Sequence, residues 1–204
     1  MMTFPTFTRK NPSVAWLRRN QRRLQAQADE MLGATGLVAV FRSYGEVTLG
    51  GSYAYDLMVY PDLDFGIVAD SVPKSLAAEL LGAICARDGV HRVAFADLIH
   101  FEPGHRVKGY WLGIEVPFEG DVWGVDVVLQ QRDWSGPDKL GSSMKGLSEA
   151  TQDAILAIKY ELIRRGDYGS KHTAADLYEA VLKHAVADVR AFDRWRAQHA
   201  EPRA

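Results

Sequence analysis

Two aspartates, Asp62 and Asp64, open the apolar run Asp62-Leu63-Asp64-Phe65-Gly66-Ile67-Val68, and this pair restricts the fold more than any other feature of the chain. In a strand, side chains alternate across the sheet, so residues at i and i+2 share a face. Two ionised carboxylates on one face repel each other unless a cation lies between them. Hard oxygen ligands favour Mg²⁺. Just upstream, Gly50-Gly51-Ser52 offers a corner whose backbone N–H groups can hold a phosphate. Together the two features imply Mg²⁺-dependent chemistry on a nucleotide.

A chain of 204 residues suits one or two domains, and with 47% hydrophobic residues it can build a core. The net charge of −2 gives no overall basic signature for nucleic acid. The single cysteine, Cys85, excludes an internal disulfide framework. Its apolar neighbours Leu80-Leu81-Gly82-Ala83-Ile84 suggest a packed core thiol. No leader pattern opens the chain, and no apolar run approaches the roughly 20 residues that span a bilayer. A soluble, cytoplasmic protein is expected.

The sequence then reads as alternating elements. Pro12 starts a helix to about Leu32, with the basic cluster Arg18, Arg19, Arg22 and Arg23 on its solvated face. Leu37 to Phe41 and Val47 to Leu49 are strand-like, Tyr53 to Met58 a short helix, and Leu63 to Val68 a buried strand. Val72 to Ala86 is a helix and Arg92 to Phe101 a strand. Gly109 to Val116 and Val122 to Leu129 form a hairpin around Pro117-Phe118-Glu119-Gly120-Asp121. The polar stretch Gln130 to Gly146 is loop-like, with Ser135-Gly136-Pro137 and Gly141-Ser142-Ser143. Ser148 caps a helix to Arg165, stopped by Gly166, and Thr173 with Asp176 caps a last helix through Tyr178, Leu182, Ala185, Val189 and Phe192. This order predicts three segments: a core over 1–130, a linker over 131–146 and a helical region over 147–204.

A third carboxylate, Asp126, lies in the apolar strand Val122 to Leu129, where an unpaired charge is costly. The metal implied by Asp62 and Asp64 is its simplest partner, and three such carboxylates suit a two-metal site. On these residues the chain resembles the DNA polymerase β-like nucleotidyltransferase superfamily. The pattern reads Leu49-Gly50-Gly51-Ser52, a spacer from Tyr53 to Pro61, Asp62-Leu63-Asp64-Phe65, and Asp126 on a later strand. The resemblance covers roughly residues 37 to 130, and in its helical C-terminal region the chain looks like the small bacterial antibiotic-modifying members.

The resemblance implies an α+β fold: a mixed β-sheet flanked by helices, with a C-terminal helical cap. It implies an enzyme that transfers a nucleoside monophosphate from a nucleoside triphosphate, with ATP the expected donor, to a hydroxyl of a small-molecule acceptor. Gly50, Gly51 and Ser52 would meet the phosphates. Asp62, Asp64 and Asp126 would hold two Mg²⁺ ions, and Asp126 would help take the acceptor proton. The spacer carries Tyr53, Tyr55, Met58 and Tyr60 where many relatives carry an arginine. Lys159, and less so Lys145, is a candidate for the missing positive charge on the triphosphate. A partner protein or a second copy of the chain is compatible with this reading, a nucleic-acid acceptor less so.

Plainer readings exist for each feature taken singly: a tight turn at Gly50-Gly51-Ser52, a solvated loop at Asp62 and Asp64, and an edge strand that buries Trp123, Val125 and Val127 while Asp126 faces water. His100 and His105 suit a turn. Glu115 suits a cross-strand contact, and Tyr110, Trp111, Trp123 and Trp134 suit core packing before acceptor stacking. Arg165 and His172 flank a polar loop. A non-catalytic, antitoxin-like nucleotide-binding module and a protein-modifying transferase are the competing functions; a silent module has no need of all three carboxylates.

Overall fold

Alternation along the β-segments builds one five-stranded sheet. The computed structural model describes residues 7, 9–100, 108–134 and 141–199. Its strands are β1 (Glu46–Gly50), β2 (Asp62–Ala69), β3 (Arg92–Asp97), β4 (Tyr110–Phe118) and β5 (Asp121–Gln131), in the order β1-β2-β5-β4-β3. Strand β2 runs parallel to β5, and the other neighbours are antiparallel. The β4–β5 hairpin is tighter than the five-residue turn expected: Phe118 pairs with Asp121, leaving Glu119 and Gly120 at φ 48° and 83°. Positive φ at both positions matches the twist of the flanking strands.

One face of the sheet is the core. Leu63, Phe65 and Ile67 of β2 lie there with Trp123, Val125 and Val127 of β5 and Leu112 and Ile114 of β4. Helices α1 (Val14–Thr35), α2 (Leu37–Arg42) and α4 (Lys74–Cys85) cover it through Leu24, Ala28, Met31, Leu37, Phe41, Ala77, Leu80 and Ile84. Asp62, Asp64 and Asp126 occupy the other face, as alternation requires.

Helix α2 corrects the strand expected over Leu37 to Phe41. Leu37 and Phe41 are buried while Ala39 between them is exposed, the i, i+4 spacing of a helix rather than the i, i+2 spacing of a strand. Gly36, at φ 64°, turns the chain from α1 into α2. The short helix α3 (Gly51–Ala54) ends earlier than expected. After it, Leu57, Met58, Val59 and Tyr60 are buried in succession, which no one-sided helix permits. Met58 enters the sheet core, whereas Leu57, Val59 and Tyr60 enter a second core.

That second core is built by α6 (Glu149–Arg164), α7 (Ala174–His184) and α8 (Val189–Gln198), with Ile155, Ile158, Leu162, Leu177 and Phe192 at its centre. Ser148 accepts from the Thr151 N–H at 3.2 Å, and Thr173 with Asp176 forms a capping box. The single last helix expected is two. Ala185 takes a left-handed φ of 51°, and Asp188 caps α8 by accepting from the Ala191 N–H at 2.8 Å. Gly141–Met144 form a short helix, α5, rather than loop. Helix α1 serves both cores, with Leu24 in the first and Leu17 in the second. Arg18 belongs to that junction and not to a solvated face: its guanidinium makes two 2.7 Å bonds to Asp153 and one of 3.1 Å to Glu149.

Cys85 is exposed, contrary to the expected core thiol, because α4 turns Ala77, Leu80 and Ile84 inward and the next residue outward. His105 and Ser135-Gly136-Pro137 lie outside the described residues. Among the described residues, no helix is long and apolar enough to cross a membrane.

The α2 assignment predicts an asymmetric mutational response. Phe41→Ala, which empties a site where the ring meets Phe65 at 5.1 Å, should cost about 3–5 kcal/mol. Ala39→Glu should stay within about 0.5 kcal/mol by urea denaturation. A strand would place both side chains on one face and make both changes severe.

Candidate active site

The glycine corner is shaped by a carboxylate. Gly50 ends β1 opposite Asp64 of β2. Gly51 follows at φ +62°, and a Cβ there would come within 1.7 Å of Asp64 Oδ2. Only glycine fits, both for its conformation and for the close approach. Ser52 is buried behind it.

The three aspartates come from two parallel strands. Asp62 and Asp64 share a face of β2, and the register sets Asp126 of β5 directly beside Asp64. Asp126 does lie on the face opposite Trp123, Val125 and Val127, but β5 is an interior strand and not the water-facing edge of the plainer reading, and Asp126 neighbours the acidic pair. Asp62 is buried, and Asp64 and Asp126 are half-buried. Burial, reinforced by Asp64, raises the Asp62 carboxyl above the usual range. Burial raises Asp64 as well. Burial and the charge of Asp64 push Asp126 up to about 6, while the Trp111 indole N–H, donating to Asp126, works the other way.

Tyr60 donates from its hydroxyl to Asp62 Oδ2 at 3.0 Å. Oδ1 of Asp62 and Oδ1 of Asp126 are buried without a hydrogen-bond partner. Among the described residues, no three His, Cys, Asp or Glu side chains are gathered closely enough to hold a metal ion as they stand. In kind the donors still suit a hard cation: two orphaned carboxylate oxygens, with the Asp64 carboxylate on the same face beside them, are relieved by one sort of ligand.

The counter-charge is Lys159 on α6. Its side chain is 2% exposed, and its Nζ donates to the Leu57 carbonyl at 3.5 Å. The ammonium sits over the rings of Tyr60 and Tyr168, 5.2 and 5.6 Å from their centroids. Burial lowers its pKa, and Asp62 and Asp64 oppose that shift. A cleft of about 530 Å³ brings Gly50, Gly51, Ser52, Asp62, Asp64 and Lys159 together. Asp126 borders it next to Asp64 but is not in its wall.

Other candidates fall elsewhere. Lys145 is exposed and outside the cleft. Glu115 pairs with Arg92 at 2.9 Å. His100 sits 3.1 Å from Asp97, Trp134 lies under Lys108, and Tyr110 and Trp123 are core. Arg165 pairs with Glu161 and Asp193, and His172 packs edge-on to Phe192. The cleft also recruits Tyr55, Tyr60, Tyr168, Thr173 and Tyr178. Tyr55 and Tyr60 were visible as an aromatic spacer, but nothing in the sequence marked Tyr168, and Tyr178 read only as an apolar helix position.

No protein-family model matches the sequence, and no curated protein matches it. Solved structures do match. One, described as the structural basis for the activity of a cytoplasmic RNA terminal U-transferase, aligns at TM-score 0.55 and 14% identity, over 84% of this chain and 53% of that one. The Cid1 poly(U) polymerase with Mg 3′-dATP bound aligns at TM-score 0.49 and 14% identity, over 73% and 46%. A GTP pyrophosphokinase family protein from Streptococcus pneumoniae aligns at 0.40 and 10% identity, over 76% and 91%. The chain thus spans about half the length of the two RNA-transferase structures. Its five-stranded mixed sheet with flanking helices is similar in fold to the first of these structures, and it is the α+β architecture that the sequence resemblance implied.

The Asp126 environment makes a signed prediction for the metal-free protein. An unfolded aspartate titrates near about 4, below the folded value of about 6. Between these values the unfolded chain loses its proton first, so stability falls as pH rises, and the loss is complete above the folded value. Asp126→Asn should therefore melt higher than the parent at pH 8, by on the order of 1–2 kcal/mol, with the difference vanishing toward pH 4. Melting curves across this range without divalent cations measure it.

Proposed function

We propose that the chain is a nucleotidyltransferase, transferring a nucleoside monophosphate from a nucleoside triphosphate to an acceptor hydroxyl. The observation that carries this reading is the single cleft in which the glycine corner, Asp62, Asp64 and the buried Lys159 face one another. A triphosphate needs neutralisation on both sides, by cations at the carboxylates and by an ammonium opposite them. Lys159 supplies the second, and the backbone at Gly51 and Ser52 supplies N–H donors. Asp62, Asp64 and Asp126 would hold Mg²⁺, which when bound screens the phosphates and acidifies the attacking hydroxyl. The acceptor oxygen attacks the α-phosphorus, the bond to the bridging oxygen breaks, and pyrophosphate leaves. Asp126, with an orphaned oxygen and a place beside Asp64, is positioned to receive the acceptor proton. Tyr55, Tyr168 and Tyr178 offer ring faces for the base. Positioning and charge account for most of the catalysis.

The charge balance favours a small-molecule acceptor, and ATP is the donor we propose. Among the described residues the cleft wall holds one cation, Lys159, and the chain carries −2 overall, whereas a long nucleic acid needs clustered Lys and Arg. The likeness to an RNA terminal U-transferase fold favours a second reading, an RNA 3′-hydroxyl acceptor.

Calorimetry with a non-hydrolysable ATP analogue tests the donor site. Binding should require Mg²⁺, and Asp62→Asn/Asp64→Asn should abolish it. Lys159→Met should weaken it about tenfold or more. In assays with the four α-labelled triphosphates, label should pass to a small hydroxyl acceptor; transfer to an oligoribonucleotide instead would select the RNA reading. A folded protein that binds no triphosphate would overturn both.

A further inference from the structure

We propose that Tyr60 is a positioning residue that holds both charged halves of this site: its hydroxyl orients Asp62 and its ring seats Lys159. The proposal rests on the nucleotidyltransferase reading and adds to it a residue that sets how metal and phosphate groups are held together. Tyr60 stands two residues before Asp62, at the end of the stretch packed between the two cores, and is 9% exposed. Its two functional parts meet different partners.

The hydroxyl donates to Asp62 Oδ2 at 3.0 Å, in a buried bond, while Oδ1 stays unpartnered. A carboxylate anchored through one oxygen loses its freedom to rotate, and the other oxygen keeps its lone pairs for a cation. Partners of this kind, one step back from the ion, set the orientation of metal ligands and typically account for 10–100-fold in affinity, on the order of what is expected here. The ring face lies 5.2 Å from Lys159 Nζ, with Tyr168 at 5.6 Å, and the two rings meet edge-on at 6.5 Å. Ring faces attract an ammonium without supplying a counter-charge. They therefore hold Lys159 in place and leave its charge to meet an anion. Because one rigid side chain makes both contacts, the carboxylate and the ammonium keep a constant separation across the cleft.

The two contacts can be separated chemically. Tyr60→Phe removes only the hydroxyl. Tyr60→pentafluorophenylalanine removes the hydroxyl and also the ring's attraction for a cation, with nearly the same shape. Two quantities are read on folded protein of checked melting temperature: Mn²⁺ binding without nucleotide by electron paramagnetic resonance, and binding of the non-hydrolysable ATP analogue at saturating Mg²⁺ by calorimetry. Tyr60→Phe should lower Mn²⁺ affinity about tenfold and leave analogue affinity within about twofold. The fluorinated residue should lower analogue affinity a further ~5-fold or more. Parental Mn²⁺ affinity in Tyr60→Phe, or equal analogue affinity in the two variants, overturns the role given to Tyr60 and leaves the nucleotidyltransferase reading standing. A parent protein that binds neither Mn²⁺ nor the analogue overturns that reading and this proposal with it.

Discussion

The parallel pairing of β2 with β5 is the constraint on which the site depends. It sets Asp64 beside Asp126 and Asp62 beside Gly124. The register is not chosen by the aspartates, which repel one another. It is chosen by the opposite face, where Leu63, Phe65, Val125 and Val127 must all reach the core. A slip of one residue would turn Asp126 into the core and Val125 out of it. The burial that stabilises the sheet thus holds three carboxylates where solvent and mutual repulsion would not leave them.

Lys159 completes the site from the second core. It is brought to the aspartates because the chain from Leu57 to Tyr60 packs into both cores at once and α1 runs along both. The Arg18–Asp153 pair ties α1 to α6, the helix that carries Lys159. A fully buried ammonium with a single long hydrogen bond is costly. Its placement opposite two carboxylates, against two tyrosine faces, accounts for its retention in the cleft.

Much of the sheet was legible because its signals are local. The place of the β4–β5 hairpin (though not its two-residue turn), the caps at Ser148 and Thr173, and the alternation of β2 and β5 each depend on a few adjacent residues. The errors arose where local signals are ambiguous. Leu37 to Phe41 is too short for periodicity to separate strand from helix, and the burial of Leu37 and Phe41 in the sheet core with Ala39 exposed goes with the helix. Ala185 carries no chemical mark of a left-handed residue, so the break between α7 and α8 was hidden. Cys85 lies in an apolar run whose inward face is set by the partner surface, which the run itself does not encode.

The amino-acid sequence by itself determined the acidic pair on one strand face, the glycine corner just upstream of it, and the third carboxylate in a buried strand. These follow from backbone geometry and from the cost of burying charge, which act over a few residues. Only the tertiary structure decided that Asp126 stands next to Asp64, that Lys159 faces the pair, and that Tyr60 and Tyr168 flank the lysine. Those contacts join residues far apart in the chain, and the packing of two hydrophobic cores against each other brings them within reach.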